Sequence, residues 1–290
     1  MTNSISPPRI AGLSALSPLY PVLLCDVWGV LHNGVVSSPP ARNALLRHRE
    51  AGGTVVLITN APRLSPFVVE QISDLGVEPE CYDAIVTSGD VTRALLAARG
   101  PVKTLHIGTD QHLTLYDGLD LELVEADAAE IISCTGLYDD EQESPDDYDA
   151  MLKSLAARGL PMICANPDIV VERGHKLIWC AGALAERYRS FGGTTFIAGK
   201  PHAPIYDEAL TQAARIRGDA IARERVLAIG DGAPTDLKGA YSQGLDVLFV
   251  SGGIHAASFG PAANPDGAAV SRFMSEEKLG ARAYLPSLVW

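Results

Sequence analysis

The chain has 290 residues, enough for one large or two moderate domains, and its 47% hydrophobic and 20% charged residues are ordinary for a globular protein. A net charge of −12 argues against nucleic acid or an anionic membrane as partner, since either would call for a basic face. Five scattered cysteines without CxxC spacing read as reduced thiols. The N-terminus lacks a basic start followed by an apolar run, and no apolar stretch approaches the ~18 residues of a membrane span, so a cytoplasmic protein is expected.

In chain order, the pattern predicts a strand over 22–27, a helix over 39–51 opened by Pro39-Pro40, a strand over 54–59, a helix over 65–75, a strand over 84–87 and a helix over 90–99. A second alternation follows, with strands at Thr104–Ile107, Glu130–Cys134 and Met162–Ala165 and helices at Pro145–Arg158 and Ile178–Phe191. The closing elements are a strand at 195–198, a helix at 203–217, a strand at 226–230, a helix at 235–243 and a strand at 246–250; 259–270 reads as a surface loop. Strands alternating with helices predict an α/β fold, a doubly wound Rossmann-like parallel sheet. Between Thr59 and Lys200 lie 140 residues, far more than the roughly 30 of one βαβ unit. The expected division is therefore a core of 1–102 and 196–290 with a smaller α/β domain inserted at 103–195.

Chemistry gathers where the apolar runs stop. Val22-Leu23-Leu24-Cys25 ends in Asp26 and a glycine turn, and Val55-Val56-Leu57-Ile58 ends in Thr59 and Asn60. Ala198-Gly199 leads to Lys200, and Leu227-Ala228-Ile229-Gly230 to Asp231 and, five residues on, Asp236. In an open α/β sheet the carboxyl ends of the strands are where a ligand crevice forms. A carboxylate there can act as a nucleophile, splitting one hard displacement into two easier ones.

Asp, Thr, Lys and paired Asp, in that order, are the signature of the haloacid dehalogenase superfamily, which the chain resembles from about Tyr20 to Ile254. The likeness is strongest to its class IIA branch of sugar-phosphate, nucleotide and p-nitrophenyl phosphatases, with a type 2 cap between the Thr and Lys motifs, and to the subgroup whose first motif reads Asp-Val-Trp-Gly-Val-Leu-His. The segment Leu160 to Asp168, followed by Cys180 to Leu184, resembles the cap of the same branch. The resemblance implies a Mg²⁺-dependent phosphohydrolase acting on a small phosphorylated metabolite, with Asp26 as nucleophile and Thr59 and Lys200 holding the phosphoryl oxygens. Metal ligands would be the Asp26 carboxylate, the Trp28 carbonyl and Asp231, with Asp236 in support. Hard oxygen donors and few protein ligands suit Mg²⁺. Caps of this kind often mediate dimers, so a homodimer through the cap is expected from the resemblance.

One position departs from the pattern. Phosphatases of this superfamily place a second Asp two residues after the nucleophile, where it protonates the leaving oxygen; here that residue is Trp28. General acid–base help of this kind is worth ~10²–10⁴ in rate. Two alternatives therefore stand beside the phosphohydrolase: a pseudo-enzyme that binds metal and phosphate, and a hydrolase of dehalogenase type. The 32 residues between Asp26 and Thr59 leave no room for the dehalogenase cap. His32 could replace the missing acid or be a histidine bonded to main chain. Asn60 either touches ligand or satisfies a turn, and Arg63 reads as a solvated charge. Arg173, His175, Lys176 and Trp179 could grip substrate or be surface side chains, with Arg173 and His175 taken as substrate-binding. The acidic run Asp139-Asp140-Glu141 with Asp146-Asp147 is a solvated loop and helix start.

Overall fold

The computed structural model describes residues 3–173 and 176–290, and the chain divides into two units. The first comprises Met1–Thr59, Val69–Val86 and Lys200–Trp290; the second comprises Asn60–Val68 and Thr87–Gly199. Among the described residues no helix is long and apolar enough to cross a membrane.

In chain order the strands and helices are β1 (Val22–Asp26), α1 (Pro39–Glu50), β2 (Thr54–Thr59), α2 (Ser65–Asp74), β3 (Ala84–Thr87), α3 (Ser88–Ala97), β4 (Lys103–Ile107), β5 (Glu122–Leu123) and β6 (Ile131–Cys134). There follow α4 (Asp149–Ala157), β7 (Pro161–Cys164), β8 (Val170–Arg173), β9 (Lys176–Trp179), α5 (Ala181–Ser190) and β10 (Thr194–Ile197). The last are α6 (Ala203–Arg217), β11 (Val226–Gly230), α7 (Lys238–Gln243), β12 (Asp246–Val250), α8 (Gly267–Glu277) and β13 (Ala283–Leu285).

The first unit holds a six-stranded sheet of order β13-β12-β11-β1-β2-β3. From β1 the chain builds outward through β2 and β3, then returns to the other side of β1 as β11 and proceeds to β12 and β13. This reversal is the winding of a Rossmann-like sheet, and the crevice it opens lies at the carboxyl ends of β1 and its neighbours. Every residue of β1, β2, β11 and β12 is buried, which explains their unbroken apolar runs: a parallel strand covered on both faces has no solvent side on which to alternate. Register fixes the rim. Asp26 pairs with Ile58, one residue before Thr59, and Cys25 pairs with Ile229, two before Asp231.

The second unit holds a five-stranded sheet of order β10-β7-β6-β4-β5, parallel in each pairing, and the antiparallel hairpin β8-β9. Its core joins Leu105, Ile132, Met162, Leu152, Leu184 and Tyr188. The helix predicted at 90–99 is α3, which begins at Ser88 and belongs to this second unit, as does β10. The strand predicted at 195–198 as part of the core pairs instead with β7, Phe196 opposite Ile163. Its alternating exposure is that of an edge strand, and the sequence offers no mark that separates an edge strand of one sheet from a strand of another. The predicted loop at 259–270 runs into α8, whose Asp266 carboxylate caps Ala268 N at 2.9 Å.

Helix α1 supplies a pH-sensitive element. His48 is buried, its Nδ1 lies 2.8 Å from Ser17 Oγ, and burial lowers its pKa from 6.5 to about 4. A histidine depressed in the folded state stabilises the fold fully above pH 6.5 and loses that contribution as the pH falls toward 4, because the unfolded chain takes up the proton first. The loss reaches about 3 kcal/mol. Denaturant melts of the wild type should shift downward between pH 7.5 and 5, and His48→Leu should show a shallower slope. Equal slopes in both proteins would exclude His48 as the source.

Candidate active site

Three segments of the first unit bring an acidic cluster together. Asp26 ends β1, Asp231 follows β11 directly, and Asp236 sits in the π-helical turn Ala233–Leu237 ahead of α7. All three are buried, with oxygen atoms that lie within 4.8 Å of one another. Thr59 is buried at the end of β2.

Lys200 neutralises part of this charge. Its Nζ donates to Asp26 Oδ1 at 2.6 Å and to Asp236 Oδ1 at 2.7 Å, with all three side chains buried. Lys200 leaves no core strand, contrary to the sequence expectation: it lies in the loop between β10 and α6. Burial alone would lower its pKa, and the Asp236 and Asp26 carboxylates outweigh that and raise it well above the ordinary range, so the ammonium is held.

The carboxylates show the opposite pressure. Burial, then Asp236, pushes the Asp26 pKa well up despite Lys200, and burial followed by Asp236 brings Asp231 to about 7. Three buried acids share one buried ammonium. Main chain does the rest: Ile254 N donates to Asp231 Oδ2 at 2.7 Å, and Gly232 N to Asp236 Oδ2 at 3.0 Å. Gly29, at φ 86°, and Gly253 approach the Asp231 carboxylate so closely that a β-carbon at either would overlap it. The sequence reading placed the glycine turn of Gly29 after Asp26 without giving it a contact, and it missed Gly253 and the Ile254 amide; the Ser251-Gly252-Gly253 run at the end of β12 was the available sign of a close approach.

This donor set fits a divalent cation. The oxygens are hard, converge from separate elements and belong to three acids against the one Lys200 ammonium.

The loop after Asp26 folds over as a flap. Leu31 N and His32 N both donate to Val27 O at 2.9 and 3.2 Å, and Ser38 N to Leu31 O at 2.8 Å. The Trp28 ring meets His32 edge-on, with centroids 5.1 Å apart, and lies against Gly34. His32 is buried and accepts from Gly34 N at its Nδ1, 2.9 Å away. Burial lowers its pKa to about 4. It is therefore the histidine bonded to main chain, neutral at pH 7, and carries no spare proton for a leaving group.

The remaining predicted residues belong to the second unit. Asn60 donates through Nδ2 to Asp168 Oδ1 at 2.9 Å. Arg63 lies over the Phe67 ring at 5.8 Å. Lys176 is exposed and pairs with Glu141 at 2.7 Å, and Trp179 is partly exposed. Arg173 is the last residue of β8, and His175 lies outside the described residues.

Residues 23–122 match a family described as haloacid dehalogenase-like hydrolase, and residues 197–272 a family described as HAD-hydrolase-like. A crystal structure of a hydrolase of the haloacid dehalogenase-like family from Brucella suis 1330 is 52% identical, covers 98% of this chain and 100% of its own, and superposes with a TM-score of 0.85. The ribonucleotide monophosphatase NagD of Escherichia coli K12 is 26% identical over 239 residues, 80% of this chain and 88% of NagD. The p-nitrophenyl phosphatase from Archaeoglobus fulgidus shares the fold at a TM-score of 0.72 with 19% identity, covering 92% of this chain and 96% of that one. With an acid and a threonine ending core strands, an acid directly after a third, a lysine and a further acid brought to them by loop and turn, and a relative this similar over its whole length, the chain belongs to the haloacid dehalogenase-like family of hydrolases.

Proposed function

We propose that this hydrolase is a Mg²⁺-dependent phosphohydrolase of a small phosphorylated metabolite, working through an aspartyl-phosphate on Asp26. The observation that carries the reading is the Lys200 ammonium bridging Asp26 and Asp236 beside Asp231 on the buried rim. An ammonium so fixed can neutralise a phosphoryl group without reorganising at the moment of reaction. The relatives named as phosphatases support the substrate class.

In this reading an Asp26 oxygen attacks phosphorus, the bond to the leaving oxygen breaks, and water then attacks phosphorus to release phosphate and restore the carboxylate. The Thr59 hydroxyl and Lys200 hold phosphoryl oxygens. Asp26, the Trp28 carbonyl and Asp231 would hold Mg²⁺, with Asp236 in support, and the ion when bound would supply neutralising charge. Asn60, Arg173 and His175 are the proposed substrate contacts, and residues 103–195 the domain through which two copies would pair. Trp28 and the neutral His32 favour a second reading, a pseudo-enzyme that binds metal and phosphate and turns over slowly.

Calorimetric titration with Mg²⁺, together with hydrolysis of acetyl phosphate and p-nitrophenyl phosphate with and without the ion, tests both. Binding with turnover is expected. Binding without turnover selects the pseudo-enzyme, and no binding at saturating Mg²⁺ removes both.

A further inference from the structure

Both ends of the second unit meet at one side chain. That unit begins at Asn60 and ends at Gly199, and the adjoining residues in the chain are Thr59 and Lys200. Asn60 is buried, and its Oδ1 lies so close to Gly199 that a β-carbon there would overlap it; the Pro167 ring lies against Gly199 as well. Its Nδ2 donates to Asp168 Oδ1 at 2.9 Å. That bond faces the carboxamide nitrogen toward Asp168 and its oxygen toward Gly199.

Asp168 is itself held from two directions. Its amide donates to Asn166 Oδ1 at 3.1 Å, and its carbonyl accepts from Gly182 N at 3.2 Å, in the first turn of α5. A β-carbon at Gly182 would overlap the Pro167 and Asp168 carbonyls, so the helix start is packed onto this turn. The backbone beyond Asn60 is fixed separately by the start of α3. Ser88 Oγ and Gly89 N donate to Ala61 O at 3.0 and 3.1 Å, Thr87 Oγ1 donates to Arg63 O at 2.6 Å, and Ser65 N donates to Asp90 Oδ1 at 3.0 Å. Those bonds hold 60–65 without Asp168. What Asp168 adds is the orientation of Asn60 against Gly199.

We propose that Asp168 is a positioning residue for the phosphoryl site: through Asn60 it fixes the Thr59–Asn60 and Gly199–Lys200 peptide units, and with them the Thr59 hydroxyl and the Lys200 ammonium. Adjacent Cα atoms are about 3.8 Å apart, so a shift at Asn60 or Gly199 passes to Thr59 or Lys200 with little to absorb it. Displacement of reacting groups by ~1 Å from a distant change can cost ~10²-fold in rate. The inference rests on Asp26, Thr59 and Lys200 acting as described under the proposed function.

The test uses the full chain with Mg²⁺ and acetyl phosphate, in Asp168→Ala, Asp168→Asn, Asn60→Ala and the double alanine variant, with kcat, KM and Tm for each. Asp168→Ala should lower kcat by about 10²-fold. Asp168→Asn should keep most of the rate, because its side-chain oxygen can still accept from Asn60. The double variant should be no slower than Asn60→Ala alone, since Asn60→Ala already removes the bond through which Asp168 acts. A purely structural role would lower Tm while leaving kcat intact below the melt. A kcat for Asp168→Ala within about twofold of wild type, or losses that multiply in the double variant, would overturn the proposal.

A crystal structure of Asp168→Ala gives a readout that needs no turnover. A rotated Asn60 carboxamide with shifted Thr59 and Lys200 main chain supports the positioning role, and an unmoved site overturns it. A wild type without any hydrolysis counts against the phosphohydrolase reading and leaves this second arm to decide Asp168.

Discussion

Lys200→Ala should lower turnover of acetyl phosphate by at least ~10²–10³-fold, the scale seen when one preorganised stabiliser of transition-state charge is removed. The loss should exceed that of any other single cation, because Lys200 donates to Asp26 and Asp236 from a buried position. Removing one member of a buried ion pair also costs about 3–5 kcal/mol, since the remaining charge has no compensation. Asp26 and Asp236 would then face each other with no cation between them, and the Asp26 pKa, already raised, would rise further. Two effects should therefore appear together: a lower Tm and lost activity even well below the melt. Lys200→Arg separates them, as it keeps the charge in a larger planar group that fits the same pocket poorly. Full activity in Lys200→Ala would show that the ammonium does not touch the phosphoryl group and that the site has been misassigned.

Trp28→Asp should raise the rate on alkyl phosphates by ~10²–10⁴-fold, by restoring a general acid for the departing oxygen and a base for the attacking water. In the wild type, Trp28 is engaged with His32 and Gly34, and His32 is neutral with its Nδ1 occupied. Acyl and aryl phosphates, whose leaving groups need no proton, should accordingly be cleaved far better than alkyl phosphates. A phosphorylated Asp26 should also accumulate and give a burst, because the second step lacks a base. The measurement is rate against leaving-group pKa in wild type and Trp28→Asp, with Tm recorded because the indole's contacts on the flap are lost. A flat dependence in the wild type, with no burst, would mean that another group or a water already carries the proton.

How far the fold could be read from the sequence depends on how completely each element is buried. Val22–Asp26, Thr54–Thr59 and Val226–Gly230 are covered on both faces and show as apolar runs, so their strands and the Asp26, Thr59 and Asp231 at or just past their ends were legible. Thr194–Ile197 is half-exposed, and sequence adjacency to Lys200 suggested the wrong sheet. β13 spans three residues, too few for a period, and α8 opens on Gly267-Ala268-Ala269, which resembles a loop until its Asp266 cap is seen. The hairpin β8-β9 lies in the stretch 169–179, where the sequence suggested substrate contacts and gave no strand. At the site, the side chains that carry charge were visible as motif residues. The parts that shape the pocket were not, because Gly29, Gly253 and the Ile254 amide act through backbone, which the sequence does not spell out. Asn60 and Asp168 are 108 positions apart, and nothing in either local segment predicts the bond.

The second unit is assembled from two separate stretches of the chain, which constrains how it could be exchanged between related proteins. A graft of residues 87–199 alone would arrive without 60–68, and Thr87 Oγ1, Ser88 Oγ and the Asp90 carboxylate would depend on the host's loop to present main-chain groups where Arg63 O, Ala61 O and Ser65 N now stand. A host loop of another conformation would leave the start of α3 unclasped, and a host without an asparagine at this place would leave Asp168 without the Asn60 bond. The transferable module is thus discontinuous in sequence, a short tether and a long insert whose fit is kept when both come from the same parent. A chimera that takes both should fold cooperatively, whereas one that takes only the long insert should fray at α3 before the rest of its sheet melts.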